Sequence, residues 1–109
     1  MTRLKMVLLL AGCLGLAAST PCAYAQTSIP AWQTGTITAI YADPSDVVII
    51  LNVNGPCGGN NFDIQRSNTN FSEYTSLMYT AAAEGKSVGL YVTSCSGTRN
   101  FTTQGMSNF

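Results

Sequence analysis

The stretch Asn70-NFSEYTSLMYTAAAEGKSVGLYV-Val92 reads as one helix that turns directly into a strand. Asn70 stands at the N-cap position and Glu73 three residues on, a variant of the capping box. Phe71, Tyr74, Leu77, Met78, Ala81 and Ala82 recur at helical spacing and form one apolar stripe. Ser72, Tyr79 and Ala83 fall on the opposite face. Gly85 supplies the stop, because glycine enters the left-handed conformation without steric cost. From Ser87 to Thr93 the period changes to two, with Val88, Leu90 and Val92 on one side.

Strand patterns flank this unit. Thr34 to Tyr41 alternates Ile37, Ala39 and Tyr41 with Thr36, Thr38 and Ile40. Ala42-Asp43-Pro44-Ser45-Asp46 is a turn. Val47 to Val53 is β-branched and apolar on both sides, as a central strand requires. A Gly- and Pro-rich loop, Asn54 to Asn60, leads to a third strand at Asn61 to Arg66, with Phe62 and Ile64 facing one way. After the helix and the Ser87 strand, Ser94 to Thr98 is a loop and Arg99 to Phe109 a fifth strand, bulged at Gly105. The fold class is mainly β with one helix, in the order strand-strand-strand-helix-strand-strand. That order fits an OB-fold-like five-stranded barrel. A small five-stranded sheet under one covering helix is the rival.

Residues 1–25 are set apart by their layout. Arg3 and Lys5 precede an apolar run from Met6 to Ala18, and Ala23-Tyr24-Ala25 is a small-x-small cleavage signal, so this is a secretory signal peptide. Leu10-Ala11-Gly12-Cys13 also matches a lipobox, which would anchor the protein through a lipid on Cys13. Residues 26–109 form a single domain of 84 residues, a size that buries only about 60% of its unfolded surface. Two of the four cysteines, Cys57 and Cys95, belong to this domain. In an exported chain they are expected to form one disulfide. Two thiols without a histidine make half a zinc site at best, so no metal and no cofactor is expected.

Five acids (Asp43, Asp46, Asp63, Glu73, Glu84) face three bases (Arg66, Lys86, Arg99) in this domain, a net charge of −2. There is no basic cluster, which argues against a nucleic-acid partner. The chain has no histidine, so a nucleophilic triad would need an unusual base. Asp43 and Asp46 are read as turn residues, Gly58-Gly59 lacks the rest of a phosphate-cradling motif, and the sequons at Asn70 and Asn100 as chance matches. The expectation is a binding protein, not an enzyme. Ser, Thr and Asn make up about a third of residues 26–109. With Trp32, Thr34, Tyr41, Tyr79 and Tyr91, such a surface suits sugars, whose C–H faces stack on rings and whose hydroxyls need directional partners. The competing reading places Tyr41 and Tyr91 in the core and leaves Tyr79 half exposed on the helix.

Trp32-Gln33-Thr34-Gly35-Thr36-Ile37-Thr38, the Cys57 loop, the Phe71–Val92 segment and Cys95 together resemble the B subunit of subtilase cytotoxin and its relatives. The resemblance covers most of residues 26–109. It implies an OB-fold protomer, a homopentameric ring, an enzymatic A subunit as partner, and binding of host glycans, including sialylated ones. It assigns glycan contact to the hydroxyl residue before an early glycine, here Thr34 before Gly35. A tyrosine late in the fourth strand is the other family contact; Val92 stands at that position, with Tyr91 beside it. The alternative is an orphan exported or lipid-anchored small OB-fold protein with a structural or protein-binding role.

Overall fold

A computed structural model of the chain describes residues 28–107. The expected signal peptide, with its cleavage after Ala25, and the alternative lipobox at Cys13 lie outside the described residues. Five strands and one helix follow in the expected order: β1 (Ala31–Ala42), β2 (Asp46–Leu51), β3 (Asn61–Gln65), α1 (Phe71–Glu84), β4 (Ser87–Ser96) and β5 (Arg99–Ser107). The strands hydrogen-bond in a closed ring, β1-β2-β3-β5-β4 and back to β1. All pairs are antiparallel except β3 with β5, which is parallel.

β1 closes the ring because it serves two neighbours. Ala31 to Thr36 pair with β4, and Ile37 to Ala42 pair with β2. The ladder slips at Thr38, between Ile37 and Ala39. An extra residue in a strand bends it and resets which side each later residue faces. Ile37 and Ile40, three apart, therefore both pack on the core. This corrects the plain alternation expected for the strand. Tyr41 is 43% exposed and is not a core residue. β1 also begins earlier than expected and takes in Trp32.

The interior is filled by Val47, Ile49 and Leu51 of β2, Phe62 and Ile64 of β3, and Val88, Leu90 and Val92 of β4. Tyr74, Met78 and Ala81 complete it from α1, with Phe71 and Leu77 at the margin. The Tyr74 hydroxyl donates to Thr102 Oγ1 at 2.6 Å, and Thr102 in turn donates to the Asp63 carbonyl at 3.0 Å. Burial pushes the Tyr74 hydroxyl pKa up, so it stays a donor. Gly105 lies under this helix. A Cβ there would come within 2.6 Å of Tyr74 Cε1.

Both helix ends are informative. Gly85 is left-handed (φ 67°), and Gly85 and Lys86 donate to the Ala82 and Ala81 carbonyls, a Schellman stop. Asn70 holds the N-cap position but its side chain makes no capping bond. Its Nδ2 reaches sideways to the Thr103 carbonyl at 3.1 Å. The expected cap is absent: with Nδ2 held by β5, the amide is oriented so that Oδ1, the atom a cap would use, makes no bond to the helix.

Other boundaries shift. β2 stops at Leu51, and Asn52 instead accepts from the Thr36 N–H at 2.9 Å. The expected Ser94–Thr98 loop shrinks to a two-residue turn, Gly97-Thr98, since Ser96 pairs with Arg99. Gly97 has φ 61°, the positive value that tight hairpin turns need. Cys95 is thus a strand residue. It bonds Cys57, their Cα atoms 5.6 Å apart. The bulge expected at Gly105 falls elsewhere: Gly105 pairs with Leu90, and the unpaired residues are Thr103 on β5 and Thr93 on β4.

Candidate binding face

The outer surface of β1, β4 and β5 gathers most of the side chains singled out for binding. Trp32 stands opposite Tyr91 and Thr34 opposite Gly89. Directly opposed residues of an antiparallel pair share a face. The Trp32 and Tyr91 rings lie 5.0 Å apart, tilted by 43°, within the range of favourable aromatic pairs. Trp32 remains 48% exposed and Met106, opposite Gly89, 50%. Gly89 makes the floor between them. A Cβ there would lie 3.2 Å from Met106 Cγ and 3.6 Å from Trp32 Cε3. Thr34 is exposed at the end of the aromatic pair.

Gly35 faces the other way. A Cβ would meet Asn52 Oδ1 and Val53 Cγ2, each at 3.0 Å. Its missing side chain serves the approach of the 52–53 segment, while Thr34 beside it faces solvent. Tyr91 is half-buried against Trp32, on the outer face and not in the core. Tyr79 is exposed on α1, along with Ser72 and Ala83. Tyr41 stands opposite Val48 at the β1–β2 end. The face therefore unites Trp32, Thr34 and Tyr91 and leaves Tyr41 and Tyr79 apart.

Beside this face is a polar pocket of about 370 Å³ lined by Asn68, Thr69, Asn70, Thr103 and Gln104. Sequence reasoning did not find it, because it joins the segment before α1 to a β5 bulge more than thirty positions on. Asn68 Nδ2 donates to the Thr102 carbonyl at 3.3 Å, and Asn70 Nδ2 to that of Thr103.

A second cluster missed in the sequence holds the ionisable groups. Asp63 on β3 is fully buried, and Arg99 Nη2 approaches its Oδ2 at 2.8 Å. Burial and the adjacent Asp46 carboxyl push Asp63 up to about 7, against the pull of Arg99. Asp46 is buried too. The expected turn role survives in its backbone, since the Asp43 N–H donates to the Asp46 carbonyl at 2.7 Å. Asp63 is sealed from solvent, while the Arg99 side chain that meets it stays 39% exposed.

Among the described residues no group of three His, Cys, Asp or Glu is placed to hold a metal ion, and no helix is long and apolar enough to cross a membrane. Compared with models of known protein families, with curated proteins and with solved structures, the chain shows no match.

Proposed function

We propose that the ring is an OB-fold-like barrel and that its β1–β4–β5 face binds glycans at the surface of host cells. The observation that carries this reading is the exposed Trp32–Tyr91 pair with Thr34 at its end. A half-exposed tryptophan tilted against a tyrosine offers an apolar platform to a sugar ring, and the threonine hydroxyl is both donor and acceptor beside it. The strand order, with the helix between the third and fourth strands and β3 parallel to β5, supports the barrel. The resemblance to the subtilase cytotoxin B subunit adds a homopentamer and an enzymatic A subunit to the proposal. The Cys57–Cys95 bond fits export to an oxidising compartment.

A second reading, an orphan exported or lipid-anchored protein with a protein partner, draws on the apolar character of the same patch, where Trp32 and Met106 are both exposed. A glycan array probed with the folded protein separates the two. Binding that Thr34→Ala weakens supports the first reading. An array without hits removes it. Light scattering tests the ring, and a monomer at micromolar concentration counts against the toxin-subunit proposal.

A further inference from the structure

The pocket of Asn68, Asn70, Thr103 and Gln104 adjoins the aromatic face, and we propose that it is a second sugar subsite that takes a neutral residue. The protein then grips an oligosaccharide across two joined sites. This rests on the glycan-binding reading above and specifies the ligand: at least a disaccharide, uncharged at the pocket end.

Continuity is the first argument. Trp32 stands opposite Tyr91, and Tyr91 opposite Gln104, so the three form one row across β1, β4 and β5. At the usual spacing between strands the row is about 10 Å long. Gln104 is both its last member and a wall of the pocket. Thr103 joins it through the bulge. It is the residue that β5 leaves unpaired between Thr102 and Gln104. Regular alternation would put Thr103 and Gln104 on opposite sides of the sheet, whereas here both are exposed and both line the pocket. Bulges re-aim side chains in this way beside functional sites.

The donor and acceptor pattern is the second argument. Asn68 and Asn70 each commit Nδ2 to a β5 carbonyl, which fixes the orientation of the amides and leaves the Oδ1 atoms as held acceptors. Thr69, Thr103 and Gln104 are exposed and add hydroxyls and an amide that can rotate to suit. Acceptors held in place beside adaptable donors match neighbouring hydroxyls on a pyranose.

Charge decides the class of sugar. None of the five lining residues is charged. The charge in the first turn of α1 is acidic, Glu73, and it opposes the pull that the helix N-terminus exerts on an anion. Arg66 is engaged elsewhere, with Nε donating to the Asp43 carbonyl and its guanidinium 5.2 Å from the Phe71 ring centroid.

The test is calorimetric titration of residues 26–109 with neutral oligosaccharides of one to four residues, built on galactose, glucose, mannose or N-acetylglucosamine, beside sialylated counterparts. Thr103→Val with Gln104→Ala, both at exposed positions, is compared with Trp32→Ala. Affinity is expected to rise about tenfold from mono- to disaccharide. The Thr103/Gln104 variant should abolish that rise, so that mono- and disaccharide bind it alike, while Trp32→Ala weakens every ligand. Binding that responds to Trp32→Ala but not to the pocket variant overturns the second subsite and keeps the glycan reading. A strict requirement for sialic acid at the pocket end overturns the neutral assignment. No binding to any probe overturns both.

Discussion

The side-chain amide of Asn100 holds the loop that carries Cys57. Its Oδ1 accepts from the Cys57 N–H at 2.8 Å, and its Nδ2 donates to the Gly59 and Asn61 carbonyls at 2.9 Å each. Asn100 is fully buried and stands opposite Cys95 in the ladder. Disulfide and amide thus fasten one loop from two adjacent strands. Asn100→Ala removes all three bonds; the Gly59 carbonyl keeps the Gly55 N–H, whereas the part-buried Cys57 N–H loses its partner, at about 1 to 3 kcal/mol for a group left unsatisfied. The variant is expected to lose about 2 kcal/mol or more in urea unfolding. A loss under about 1 kcal/mol would mean that water replaces the amide and that the clamp is not structural. The same burial keeps the Asn100 sequon from being glycosylated in the folded protein.

Reducing the Cys57–Cys95 bond frees a segment of 38 residues. In the chain-entropy model that closure contributes about 3 to 4 kcal/mol. A domain of this size gives up about 4 to 8 °C of Tm per kcal/mol, so Cys57→Ser with Cys95→Ser should melt well over 10 °C below the parent in a scanning calorimeter. An unchanged Tm would show that Asn100 alone fixes the loop.

Stability should fall as pH rises from about 4 to 7. Asp63 titrates near 7 in the folded protein and near 3.8 when free. Between those values the folded state holds a proton that the unfolded chain has released, so raising the pH favours unfolding there. Below about 4 both states are protonated, and above about 7 both are ionised and the penalty is complete. Asp63→Asn should flatten this slope relative to the parent when unfolding is measured by denaturant at pH 5 and pH 8. If parent and variant keep the same pH dependence, the carboxyl is ionised throughout and Arg99 has overcome the burial.

The order of elements, the Gly85 stop and the cysteine pair were legible because each rests on a local pattern or a count. The helical stripe from Phe71 to Ala82 and the alternation of Val88, Leu90 and Val92 need no knowledge of neighbours. What escaped depends on them. The slip at Thr38 leaves no mark in the pattern of Ile37, Ala39 and Tyr41, yet it brings Ile40 inward and Tyr41 out. Asn70 has the residue type of an N-cap and spends its amide on Thr103, because the β5 bulge presents that carbonyl. Asn100 looks like a surface residue within Asn-Phe-Thr and proves to be a buried clamp. Of the candidate site, Trp32, Thr34 and Tyr91 were all named in the sequence, together with Tyr41 and Tyr79, which lie apart from it. The meeting of the first three on one face required the β1–β4 register.

Trp32 is the only tryptophan in the chain, so the proposed binding face carries its own reporter. Its ring is half exposed and packed on Tyr91. A sugar stacked there removes water from the indole and should shift its emission to the blue, while Tyr91→Ala, which strips one side of the ring, should shift the free protein to the red. Thr34→Ala removes one hydrogen bond worth about 1 kcal/mol, or about a fivefold loss of affinity, without changing the emission of the free protein. A ligand that binds by calorimetry yet leaves Trp32 emission untouched must sit elsewhere on the molecule, and the β1–β4–β5 face would then lose its claim to the site.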